Sequence, residues 1–234
     1  PQIGKAIYDC YNCPSIQQYY MTPRSLYTEE HLMFAQSVRD FIAKEIVPNN
    51  AKWEKEHMVS RESWKKFGEA GFLCMQVDEQ YGGLGIKDFR YNAIVTEELA
   101  KTGCAGPAVG YPLHSDIVCP YIEHYGTEAI KHKWLPKMVS GEAIGAIAMT
   151  EPGAGSDLQG MRATAVDKGD YYLVNGSKTF ITNGYLSDVV VVAVKTDPTK
   201  GAKGISLLVI EADRKGFSKG KPFEKIGLHA QDTC

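Results

Sequence analysis

The sequence predicts an α+β protein: an N-terminal all-helical domain over residues 27–141, then an antiparallel β-barrel-like domain over 142–234. Three observations predict it. Apolar residues recur at helical spacing through the first part of the chain. From about Gly141 the pattern changes to short β-branched runs bounded by turn residues. No helical stretch separates those runs, so βαβ units and a parallel sheet are not expected. With 234 residues and 44% hydrophobic side chains, a core forms without a metal or disulfide staple. Residues 1–26 show no periodicity and read as a leader.

Thr28 reads as a helix N-cap, with Glu29 and Glu30 in the first turn near the positive end of the dipole. Phe34, Val38, Phe41, Ile42 and Ile46 follow at helical spacing, and Pro48 is expected to end that helix. A second helix starts after Ser60 and carries Trp64 and Phe67, with Gly71 near its end. Tyr81-Gly82-Gly83-Leu84-Gly85 is a turn-rich connection. A third helix runs from about Lys87 to Lys101. A fourth runs from about Ala108 to His124 and is kinked by Pro112 and Pro120. Thr127 caps a fifth, which packs Trp134 and Leu135.

Strands are expected at Ala143–Met149, Arg162–Asp167, Tyr171–Val174, Thr179–Thr182, Asp188–Lys195 and Ile205–Ile210. Asn175-Gly176 lies between two of them and is a hairpin signal.

Net charge is −2, from 26 basic and 28 acidic residues, which argues against an electrostatic nucleic-acid binder. No apolar run is long enough for a membrane span. Cys10 and Cys13 form a C-x-x-C without the second pair that a zinc site needs, so free thiols are expected and no metal. The chain starts at Pro1 and stops at Cys234 inside an unfinished segment, so it is expected to be incomplete at both ends.

Two segments carry chemistry. Met149-Thr150-Glu151-Pro152-Gly153-Ala154-Gly155-Ser156-Asp157 follows an apolar strand. Its small residues let a ligand approach the backbone, Thr150 and Ser156 add hydroxyls, and exposed N–H groups in such a loop bind carbonyl or phosphate oxygens. A plain Gly-rich turn fits the same composition. It is not a dinucleotide fingerprint, because Leu158 stands where a third glycine belongs and no βαβ spacing follows. No P-loop occurs. Phe180-Ile181-Thr182-Asn183-Gly184 places an aromatic ring and a hydroxyl at a strand end, and a hairpin with a core Phe fits it equally.

Together these segments resemble the acyl-CoA dehydrogenase family. Ala148 to Asp157 is similar to its signature, and Phe180 to Gly184 to its second flavin segment. Asn175-Gly176-Ser177-Lys178 and Tyr81 to Gly85 also fit, and the resemblance runs from about Tyr27 to Cys234. The tail Ile226 to Thr233 and the run Ile144 to Ile147 look most like the long-chain members.

The resemblance implies a flavoprotein that removes an α-proton and a β-hydride from a fatty acyl-CoA, with FAD as cofactor. It implies flavin contacts at Ile147, Met149, Thr150, Gly155, Ser156, Phe180, Ile181 and Thr182, with Ser156 also touching the CoA arm. Thr182 would bond near flavin N5, where negative charge develops on reduction. Phe180 departs from the Trp found in many relatives. Ala202 and Lys203 lie where relatives meet the CoA nucleotide, although an exposed loop lysine is the ordinary state of such a residue. No catalytic residue is assigned: Glu151 reads as structural, and the family's base belongs to a C-terminal helical bundle expected to be missing here. Pro112 is a candidate for widening the acyl-chain space. The implied partners are the acyl-CoA substrate, an electron-transfer flavoprotein and further copies in a homo-oligomer, in the mitochondrial matrix. An acyl-CoA oxidase and a non-catalytic acyl-CoA- or flavin-binding scaffold are the alternatives.

Overall fold

The computed structural model describes residues 25–234. Cys10, Cys13 and most of the expected leader lie outside the described residues. The α-helices are α1 (Glu29–Phe41), α2 (Val47–Glu56), α3 (Arg61–Glu69), α4 (Arg90–Lys101), α5 (Ala105–Pro112), α6 (Cys119–Tyr125) and α7 (Glu128–Val139). The strands are β1 (Gly145–Ala148), β2 (Thr164–Asp167), β3 (Tyr172–Asn175), β4 (Val189–Lys195) and β5 (Ile205–Glu211). The α+β reading therefore holds.

Thr28 is extended at the start of α1, and its Oγ1 lies 2.6 Å from His31 Nδ1. His31 takes the place that Glu or Gln has in a capping box. Ser60 Oγ accepts from the Ser63 N–H at 3.3 Å to cap α3, and Thr127 Oγ1 accepts from the Ile130 N–H at 3.4 Å to cap α7.

Pro48 does not end the first helix. A π turn, Ile42–Ile46, joins α1 to α2, and Pro48 sits in the first turn of α2. The Val47 N–H reaches back to Ile42 O. The wider turn makes room for the ring, and the first turn needs no N–H from proline. The same device serves the fourth expected helix. There α5 ends at Pro112, a π turn runs Leu113–Val118, and Pro120 lies in the first turn of α6.

The sheet is mixed, not antiparallel. β1 runs parallel to β4, in register from Gly145↔Val189 to Ala148↔Val192. β5 runs antiparallel to β4, from Val189↔Glu211 to Lys195↔Ile205. β2 meets β4 in parallel at Thr164↔Lys195 and pairs antiparallel with β3. The long excursion between β1 and β4 brings the chain back in the same direction. β4 is buried from Val189 to Val194, as a strand covered on both faces should be.

The hairpin turns between Asp167 and Tyr171, not at Asn175-Gly176. The Lys168 N–H donates to Tyr171 O at 2.9 Å, and Gly169 supplies a left-handed residue at φ 88°. Gly176 instead lies against Ala163, where a side chain would clash. Thr179–Thr182 is not a strand, because Phe180 and Asn183 take left-handed conformations at φ 59° and 60°.

Helices and sheet share one seam. Trp64 and Phe67 from α3 close on Tyr111 from α5, with ring centroids 4.5 Å and 4.1 Å away. Each such fully buried ring contributes on the order of 2–3 kcal/mol. Tyr111 Oη lies 2.7 Å from Ser63 Oγ, so its polar end is satisfied. Arg61 bonds Asp188 through its two terminal guanidinium nitrogens, at 2.9 and 2.8 Å, and Asp188 also accepts from the Ile144 N–H at 2.8 Å. Buried His114 accepts from the Gly145 N–H at Nδ1, 2.9 Å away, which places its proton on Nε2, facing Met138 O at 3.0 Å.

Candidate cofactor site

The glycine loop leaves the end of β1 and doubles back at once. The Glu151 N–H donates to Ala154 O at 2.9 Å, and the Ala154 N–H returns to Glu151 O at 3.1 Å. Pro152 and Gly153 form the exposed tip. Ala154, Met161 and Ala193 make a small buried cluster, with Met149, Leu158 and Ile205 packed against it. The loop is thus seated on β4 and β5 while Gly155, Ser156 and Asp157 stay exposed. No heavy atom lies within 4 Å of a Cβ built at Gly153 or Gly155.

Glu151 is 7% exposed and does the holding. Its carboxylate accepts from the Arg162 N–H at 2.6 Å, the Ala163 N–H at 2.9 Å and Lys178 Nζ at 2.9 Å. Lys178 Nζ also donates to Met149 O at 2.9 Å. Burial alone would raise the carboxyl's pKa, but the Arg162 N–H, the Lys178 ammonium and the Ala163 N–H outweigh it and lower it. A carboxylate so saturated with donors is a poor proton acceptor. Its structural reading stands.

The second segment is tied edge to edge with the first. The Thr179 N–H donates to Thr150 O at 3.0 Å, and Lys178 bridges to Met149 O. On the other side, Ile181 exchanges two backbone bonds with Cys234, at 2.7 and 3.2 Å. Phe180 stands between these ties, 66% exposed at φ 59°, with the Phe223 ring at 5.3 Å between centroids. A non-glycine residue held at positive φ with an exposed ring is a constraint that folding alone does not ask for.

The structure brings Met149, Thr150, Phe180, Ile181 and Thr182 into one neighbourhood at the end of β1. Ile147 lies just inside it, paired with Val191. Gly155 and Ser156 occupy the exposed limb of the loop. Among the described residues, the hydroxyls of Thr150, Ser156 and Thr182 make no hydrogen bond within the chain. Three unspent hydroxyls, an open glycine backbone and an exposed aromatic face suit a flat, polar-edged, anionic ligand such as a flavin nucleotide. Ala202 and Lys203 are exposed in the 3₁₀ turn Pro198–Gly204, which packs beside the turn Leu158–Gly160. Lys203 has no hydrogen bond or ion pair among the described residues.

Pro112 borders a narrow cleft of about 10 Å³ beside Asn92, Tyr111 and Asp116, and no residue of the two loops lines it. The anchoring roles of Lys178, Asn183 and Gln231 were not apparent from sequence, because their partners lie 27 to 73 residues away. No group of His, Cys, Asp and Glu among the described residues could hold a metal ion, and no described helix is long and apolar enough to cross a membrane.

Comparison with known proteins follows the same outline. Residues 28–142 match the model of the acyl-CoA dehydrogenase N-terminal domain, and residues 146–234 match that of the middle domain. The chain is 52% identical over 214 residues to a mitochondrial long-chain specific acyl-CoA dehydrogenase of Sus scrofa, covering 90% of this chain and 49% of that protein. The acyl-CoA dehydrogenase of Geobacillus kaustophilus superposes with a TM-score of 0.86 at 56% identity, over 89% of this chain and 55% of that one. An acyl-CoA dehydrogenase of Bacillus anthracis complexed with FAD gives 0.80 at 32% identity, over 91% and 36%. The chain spans about half the length of the long-chain relatives it matches, 49% in each case.

Proposed function

This chain belongs to the acyl-CoA dehydrogenase family, and on that premise we propose that it carries the FAD-binding face of an enzyme that desaturates fatty acyl-CoA thioesters between Cα and Cβ, with long chains preferred. The observation that carries this reading is the joining of the two loops. Thr179 to Thr150 and Lys178 to Met149 tie the segment that carries Phe180 and Thr182 to the one that carries Thr150.

In this reading Ile147, Met149, Thr150, Gly155, Ser156, Phe180, Ile181 and Thr182 hold FAD. When bound, FAD supplies the acceptor for the β-hydride. Thr150 and Ser156 offer hydroxyl and backbone donors to its polar edge, Phe180 offers an apolar face and Thr182 a hydroxyl where negative charge gathers. Ser156, Ala202 and Lys203 face the CoA arm, with Lys203 as the cation for a phosphate. Glu151 is excluded as the base by its three donors.

The rest of the proposal concerns the whole protein. Electrons leave to an electron-transfer flavoprotein, copies associate as a homo-oligomer, and the enzyme works in the mitochondrial matrix, in line with the mitochondrial relatives. The division into a helical unit over 27–141 and a sheet unit over 142–234 belongs to the same reading. An anaerobic titration of the whole protein with palmitoyl-CoA tests it. Loss of flavin absorbance near 450 nm is expected, roughly where the oxidised cofactor absorbs. A protein that takes up no FAD overturns the assignment of both loops.

A further inference from the structure

We infer that Gln231 is a positioning residue for the turn Phe180–Thr182 and acts on it through Asn183. The inference rests on the flavin reading above, which gives that turn to FAD.

Asn183 is 1% exposed and left-handed, directly after Thr182. Nothing near it in sequence fixes its side chain. Its Nδ2 donates to Gly110 O in α5 at 2.9 Å and to Gly145 O in β1 at 3.4 Å. Its Oδ1 accepts from Gln231 Nε2 at 2.9 Å. Gln231 is itself 2% exposed, and its Nε2 also donates to Asp232 Oδ1 at 3.0 Å. One buried amide pair therefore joins the helical layer, the sheet and the returning tail at the root of the turn.

The tail is built to deliver Gln231 there. The Phe223 N–H donates to Thr233 O at 2.8 Å, Lys225 Nζ donates to Gln231 O at 2.6 Å, and the Leu186 N–H donates to Asp232 Oδ2 at 2.6 Å. α5 leaves a slot for it. A Cβ at Gly106 would lie 2.6 Å from the Cβ of Ala230, and one at Gly110 would lie 2.8 Å from Gln231 Oε1. Two glycines four residues apart open one face of α5 to the tail.

Phe180 and Asn183 bracket Ile181 and Thr182 with two left-handed residues. Such conformations persist only where the surroundings over-determine them. Backbone bonds to Cys234 hold the Ile181 side of the turn, and the Gln231–Asn183 amide bond, with the bonds from Asn183 Nδ2, holds the other. Without the Gln231 donor, Asn183 Oδ1 is left buried and unpaired. The turn then loosens while the sheet behind it stays whole.

The test uses the whole protein. Gln231→Met keeps the length of the side chain and removes its donor. Amide hydrogen exchange is read at residues 180–184 and, as a control, in β4. Exchange should speed up about tenfold in the first and stay unchanged in the second. FAD titration should show affinity weakened about tenfold and a shifted flavin absorption maximum. Gln231→Glu is the second variant, and it decides the matter should the Met variant fail to fold. Its carboxylate has no proton to offer at about pH 8, whereas burial at this 2%-exposed position raises its pKa, so that protonation near about pH 5 restores a donor. Exchange at 180–184, relative to the unmodified chain at the same pH, should therefore recover on acidification. Unchanged exchange at 180–184 in the variants overturns the inference. So does equal acceleration in β4, which would mark a general structural role. An unmodified chain that takes up no FAD defeats the flavin reading instead, and the exchange data still decide the positioning role.

Discussion

At the scale of single residues, Glu151 and Lys178 show how a loop of small residues is kept in one shape. The pair is nearly closed to solvent, with side chains 7% and 10% exposed. Lys178→Met should destabilise the chain by about 3 kcal/mol, because it leaves a buried carboxylate without its cation. Urea denaturation measures the loss, and weaker FAD uptake should accompany it. The lowered pKa of Glu151 means that its stabilisation is present above the ordinary value of 4.5 and is lost as pH falls below it. Asp116 behaves in the opposite sense. Burial pushes its carboxyl up to about 6, against a bond of 2.6 Å from Asn92 Nδ2 that pulls it down. An acid raised in this way is harmless below its ordinary 3.8 and costs stability as pH climbs through about 6. Asp116→Asn keeps an acceptor for Asn92 and removes the charge. It should gain about 1–2 kcal/mol at pH 7.5, allowing for partial exposure, with the gain vanishing near about pH 3.5. Denaturation at the two pH values checks both parts.

At the scale of elements, the helices were legible because caps and apolar spacing are local signals. Thr28, Ser60 and Thr127 stand where the sequence placed them. Pro48, Pro112 and Pro120 were legible as punctuation but not as joints. Whether a proline ends a helix or follows a π turn depends on packing from other elements. The sheet was misread for a similar reason. Asn175-Gly176 carries the local hairpin signal, yet close approach to Ala163 claims Gly176, and Asp167 with Gly169 makes the turn. Strand direction was not legible, since nothing local in the 149–188 excursion, which holds β2 and β3, shows that β4 returns parallel to β1. Pro112 ends α5 beside Tyr111 and Asp116, so a longer polar side chain there would crowd the cleft. Pro112→Glu in the whole protein should lower kcat/KM for palmitoyl-CoA about tenfold relative to octanoyl-CoA. An unchanged chain-length profile removes Pro112 from the specificity argument.

At the scale of the whole molecule, helices and sheet meet along Arg61–Asp188 and His114–Gly145, and the candidate site lies at the other end of β1. The residues proposed to contact the ligand form a local motif, but its supports were not legible, because they are drawn from α5, β1 and the tail at once. Ligand binding to so composite a site should stabilise all of it together. FAD at 100 times its dissociation constant should add about 2.7 kcal/mol by mass action. In a thermal melt that corresponds to a rise of about 5–10 °C for a chain of this size. A melting temperature indifferent to FAD would count against the flavin reading.

The pairing of Ile181 with Cys234 has a consequence for the order of events during synthesis. The two residues are 53 positions apart (234 − 181). At roughly 5–20 residues per second, a ribosome needs about 3–10 s to make the second after the first. The helices and β1 can therefore collapse while the aromatic turn still lacks its clamp. The ligand-facing corner therefore matures later than the helices and β1, and in that interval it stays open to proteases and chaperones.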